Sequence, residues 1–114
     1  MKDKKFRKLE GGILQLVPPI GSCCASDRIT VDGEKIGYMY RELPYDKIDS
    51  GWRFFAGDED RKYVDNPDNF ALYHVNTIAN FDRAIIPYLF SPVGTSFERI
   101  IETDDFFEII NKNN

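Results

Sequence analysis

Strand-favouring runs and short helical segments alternate along this chain, without the regular strand–helix–strand rhythm of a parallel sheet. The strongest β signal is GWRFFA, residues 51–56. On a pleated strand Trp52 and Phe54 share one face, Arg53 and Phe55 the other. Around it, turn and cap residues cut the chain into short pieces. Residues 22–31 (SCCASDRITV) read as a strand, and Asp32-Gly33 as a type I′ hairpin turn. Residues 35–43 (KIGYMYREL) would be the returning strand, with Ile36, Tyr38, Tyr40 and Glu42 on one face and Gly37, Met39, Arg41 and Leu43 on the other. A polar loop, 44–50, leads into GWRFFA.

After that strand, Asp58 is placed to cap a one- or two-turn helix over 59–64, which Asn66-Pro67 stops. Residues 70–75 (FALYHV) read as a strand and 76–81 as a helical turn. Asp82 caps a segment over 83–90 that contains Pro87. A loop at 91–94 precedes an alternating strand over 95–101. Thr103-Asp104-Asp105 opens a closing helix, 106–111, that turns Phe106, Phe107, Ile109 and Ile110 toward the body. The expected product is an α+β fold: a mainly antiparallel sheet with short helices packed on one face. Residues 1–21 form a lead-in, with one extended piece over 13–17 before Pro18-Pro19, and residues 22–114 form a single domain.

Composition permits such a core. The 114 residues are 42% hydrophobic and 14% aromatic, and aromatic side chains bury large areas in a small domain. The net charge of −4 is uneven. Residues 2–8 carry five cations and one acid, which leaves 10 bases and 18 acids, net −8, on residues 9–114. An acidic body repels nucleic acid and favours basic partners. The basic start is read as a solvated end. The apolar stretch behind it, broken by Glu10, Gln15, Pro18 and Pro19, is a poor signal sequence, although Ile20-Gly21-Ser22-Cys23 imitates a lipoprotein cleavage site. No run approaches the ~18 apolar residues of a membrane span. The expected compartment is the cytoplasm. Cys23 and Cys24, adjacent in sequence, make no disulfide framework and are read as small hydrophobes in a strand.

Residues 57–69 (GDEDRKYVDNPDN) hold four Asp, one Glu and two Asn. Such oxygen density could hold Ca²⁺ or Mg²⁺, or serve a small-ligand module or an enzyme, but the spacing is not that of an EF-hand. A capped surface helix followed by an Asn-Pro turn accounts for the same residues. His74, the single histidine, reads as a satisfied, half-buried strand residue. No nucleophile elbow, cysteine-protease signature, phosphate loop or dinucleotide fingerprint occurs. No catalytic residue, metal or cofactor is therefore assigned. Trp52 either anchors a partner or fills the core.

Four separated segments carry a resemblance: SDRITVDGEKIGYMYRE (26–42), DSGWRFFAGDED (49–60), DNPDN (65–69) and SPVGTSFER (91–99). In this order, over roughly residues 22–99, they resemble a bacterial domain family classed as immunity proteins of polymorphic toxin systems. Gly51, Trp52, Asp58, Asp65, Asn66, Pro67, Pro92 and Gly94 mark the motif. The resemblance implies an α+β fold and a cytoplasmic protein that neutralises a cognate toxin, and it carries over no catalytic residues; the chain is read as a binding protein and not an enzyme. The paired cysteines and the long lead-in are not part of the pattern. Combined with the acidic body, this makes a basic protein toxin the expected partner. Residues 42–69 concentrate eight acids against four bases. Asp46, Asp49, Trp52, Asp58, Glu59 and Asp60 are the expected contact residues, with the acids steering and the indole anchoring.

Overall fold

A computed structural model describes residues 3–110. Its elements follow in chain order: β1 (Ser22–Ser26), α1 (Asp27–Thr30), β2 (Tyr38–Arg41), β3 (Asp49–Phe55), α2 (Arg61–Val64), a 3-10 turn (Pro67–Asn69), β4 (Phe70–His74), α3 (Val75–Phe81), a 3-10 helix (Arg83–Tyr88), β5 (Ser96–Arg99) and β6 (Phe106–Glu108). The strands form one sheet in the order β4-β1-β3-β2-β5-β6. β1 runs parallel to β3 and every other pairing is antiparallel. The architecture is the expected α+β fold with a mostly antiparallel sheet.

The core lies on one side of this sheet. Cys23 and Ala25 of β1, Met39 of β2, Trp52 and Phe54 of β3, Phe97 of β5 and Phe106 of β6 are buried there. Ile29 of α1, Val75, Ile78 and Ala79 of α3, and Ile85 and Leu89 at the 3-10 helix close over them. Trp52 stacks near Phe54 and Phe97, with ring centroids 5.8 and 6.4 Å away. Its indole N–H donates to the Leu89 carbonyl at 3.0 Å, so the one polar atom of the ring is satisfied inside the core.

The lead-in belongs to this layer. Leu14, Leu16 and Val17 are tied through their backbones to the side chains of Asn76 and Asn80 on α3, and Val17 is buried. Arg7 N–H donates to the Thr30 carbonyl. Residues 1 and 2 of the lead-in and basic start, and residues 111–114, lie outside the described residues.

Several local readings need correction. The strand expected over 22–31 stops at Ser26, whose hydroxyl accepts from Arg28 N–H and caps α1. Asp32-Gly33 closes that helical turn through Asp32 N–H to the Asp27 carbonyl. It does not join two paired strands, because β2 lies on the far side of β3 from β1. The face assignment in 35–43 fails at Ile36. This residue precedes the strand and is buried with Met39, while Tyr38 and Tyr40 take the opposite face. α2 is capped by Asp60, which accepts from Tyr63 N–H at 2.8 Å, and not by Asp58.

The closing helix over 106–111 is a strand, and its last residue, Asn111, lies outside the described residues. Thr103 Oγ accepts from Asp105 N–H and Ile100 N–H donates to the Asp105 carbonyl, which folds the chain back on β5 as a hairpin. Phe106 is buried as expected and Ile109 is half-buried, but Phe107 and Ile110 face solvent.

Gly51, a motif position, has φ +90°, and a Cβ there would stand 2.2 Å from the Glu42 carbonyl oxygen. Only glycine fits where β3 passes this close to the end of β2. Trp52→Ala is expected to cost about 3–5 kcal/mol of stability, read by circular dichroism during urea unfolding. A loss below about 1 kcal/mol would be inconsistent with a core indole.

Candidate functional site

Among the described residues, the side of the sheet opposite Trp52 has no comparable helical cover, and it carries a continuous aromatic tract. Cross-strand pairing sets Tyr38 opposite Phe55 and Tyr40 opposite Arg53. Tyr40 stacks on Phe55 at 5.9 Å and Tyr38 lies 5.8 Å from each of them. Phe55 meets the edge of Phe70 at 5.7 Å, reaching across the end of β1, where Ser26 pairs with Phe70. Tyr63 of α2 continues the chain of rings from Phe70. All five rings are half-buried. Such ring pairs stiffen a sheet and leave a flat, partly wet apolar surface.

One end of this face is bounded by the β2–β3 loop. Asp46 Oδ1 accepts from the N–H groups of Ile48 and Asp49, an Asx turn. Asp49 accepts from Tyr45 N–H at 2.7 Å and Gly51 N–H at 2.9 Å, and takes both terminal nitrogens of Arg53. Arg53 also reaches Glu42 at 2.6 Å. The Arg53 guanidinium above all, and then the two amides, hold the Asp49 carboxyl well below the usual carboxylate range. With Asp46 and Asp49 bonded to the loop's own backbone, the loop leaves apolar side chains in solvent: Leu43 is 80% exposed and Tyr45 90%. Ile48 and, across the face on β4, Leu72 are exposed as well.

The other end is a groove of about 680 Å³ beneath Tyr38 and Phe55, with Ala56, Val64 and Ile101 along it. Asp58 and Glu59 stand at its rim. Asp58 is gripped by Arg28 through two nitrogens, which lowers its pKa. Glu59 accepts from Ala56 and Gly57 N–H, each at 2.8 Å.

The six residues expected to form one contact surface are thus divided. Asp46 and Asp49 sit at one end of β3, and Asp58, Glu59 and Asp60 beyond the other. Six strand steps separate Asp49 from Phe55, roughly 20 Å. Trp52 lies between them on the opposite, core side, with no exposed surface. Tyr45, Leu43 and Ile48 were not singled out by the sequence reading. The signal lies in the apolar residues themselves, Leu43 at the end of the expected strand and Tyr45 and Ile48 within a loop that reads as polar.

The remaining reactive side chains are quiet. Cys23 and Cys24 are free thiols, and burial pushes both up, away from a reactive thiolate. His74 closes β4 and is exposed, not half-buried. Among the described residues no group of three or more His, Cys, Asp or Glu is arranged to hold a metal ion. No helix there is long and apolar enough to cross a membrane.

Fold and surface together define a small α+β domain with one helix-covered sheet face and one largely bare aromatic face. The chain belongs to the immunity protein Imm33 domain family, whose model matches residues 23–110, from β1 to just beyond β6. No curated protein and no solved structure matches it.

The Asp49 pair makes a pH prediction. A carboxylate whose native pKa is lowered adds stability above its unfolded pKa of about 3.9, and loses it as pH falls through that value toward the native one. Wild-type protein should therefore exceed Asp49→Asn in stability at pH 7, with the gap shrinking below about pH 4. Urea unfolding across that range reads it. A gap independent of pH would contradict the assignment.

Proposed function

We propose that this protein neutralises a cognate bacterial toxin by direct binding and occlusion, using the bare sheet face and the β2–β3 loop as its contact surface. The observation that carries this reading is the outward display of Tyr45, Leu43 and Ile48 by a loop whose acids are spent on its own shape. An aromatic anchor on a stiff support loses little entropy on binding, which is how a few residues come to dominate an interface. In this reading Asp46 and Asp49 position the anchor. Asp58, Glu59 and Asp60 form a distant acidic rim that steers a basic partner. Trp52 supports the surface from behind. The net −8 on residues 9–114 favours a basic toxin and disfavours nucleic acid. Occlusion needs no chemistry from the inhibitor, and two free thiols suit a reducing cytoplasm.

Co-expression with the toxin encoded beside its gene should restore growth, and the two proteins should form a 1:1 complex. Tyr45→Ala should leave the fold intact and raise the dissociation rate by about 30-fold or more, the mark of an interface hot spot. Surface plasmon resonance measures that rate. Lack of protection by the wild-type chain would overturn the reading.

A further inference from the structure

The groove beneath Tyr38 and Phe55 has a composition that selects one kind of occupant. Its floor is apolar and aromatic, while Glu34, Asp58, Glu59 and Glu98 stand around it. These carboxylates come from three separate places: the α1–β2 connection, the turn after β3, and β5. Glu98 is the cross-strand partner of Tyr38, so its side chain rises beside that ring on the bare face. Among the described residues that line the groove, the cationic one is Arg99, and it is committed elsewhere. Its guanidinium bonds Asp82, Asp104 and the carbonyls of Ile36 and Thr103, and lies over Phe106 at 4.7 Å.

Asp58 is paired with Arg28, which Asp32 shares, and Glu59 is held by backbone amides. Among the described residues Glu34 and Glu98 enter no ion pair. Two independent features therefore favour a cation: the negative faces of the rings and two unneutralised carboxylates beside them. A guanidinium suits this better than an ammonium, because it is flat, stacks on rings and still offers hydrogen bonds at its edge.

We infer that the groove receives an arginine side chain of the bound partner protein, stacked on Tyr38 and Phe55 and met by Glu34 and Glu98. The inference rests on the reading of this protein as a direct binder of a basic toxin, and adds where that toxin's charge is received.

The test uses the whole chain and two tripeptides, N-acetyl-Gly-Arg-Gly amide and its citrulline analogue, which keeps the shape and loses the charge. In ¹H–¹⁵N NMR titrations the arginine peptide should shift the amides of Tyr38, Ala56, Gly57 and Glu98, and the citrulline peptide should bind several-fold more weakly. The Glu34→Gln/Glu98→Gln variant, altered only at exposed positions, should bind the arginine peptide about fivefold more weakly, as two surface ion pairs would give. Equal binding of the two peptides, shifts confined to other regions, or an unchanged variant would each overturn the inference. The same variant should also bind the toxin more weakly and with a shallower dependence on salt. Unchanged toxin affinity would remove the groove from the interface while leaving immunity by binding intact. Failure of wild-type protection in the co-expression experiment would remove the immunity reading and with it the toxin as the source of the arginine, while the peptide titration would still decide whether the groove takes a guanidinium.

Discussion

The alternation along β3 organises this molecule. Trp52 and Phe54 point into the core, where the indole stacks near Phe97 and donates to the Leu89 carbonyl. Arg53 and Phe55 point the other way, where one locks the β2–β3 loop through Asp49 and the other anchors the aromatic tract. A one-residue slip in register would exchange these sets and place a guanidinium in the core. Burial on one face thus sets the geometry of the other. The bare surface is as precise as the core packing behind it.

The parts legible in the sequence were those where one local signal acted alone. GWRFFA is strand by composition and by period, and the structure places β3 there. Phe70 to His74 and the Asp82 cap also lie where their residues indicate, with Asp82 accepting from Ala84 N–H. Readings failed where two mechanisms competed. Ser26 sits within a β-favouring run, yet its hydroxyl caps a helix, and the strand ends. Residues 106–110 contain four large apolar side chains in five positions, a pattern that helix and strand share. The pairing of Phe106 with Arg99, a tertiary contact, decides for strand.

The candidate site was legible in part. Acids do gather around the ends of β3, but residue type could not reveal that each serves a neighbouring backbone or base. Asp46 and Asp49 shape a loop, Asp60 caps a helix and Asp58 pairs with an arginine thirty positions earlier. Carboxylates engaged in this way add less to recognition than their number suggests, since part of their charge is already answered. In the proposed interface the apolar side chains held outward would contribute more, because burying a large exposed ring supplies the non-directional part of affinity.

The central claim, that the bare face and not the helical side meets the toxin, is tested most directly by hydroxyl-radical footprinting of the free protein and the complex. Tyr45, Tyr40 and Phe55 should lose reactivity on binding, while Leu14, exposed on the lead-in where it bonds to Asn80 of α3, should keep its own. Protection of Leu14 with unchanged labelling of Tyr45 would contradict the account.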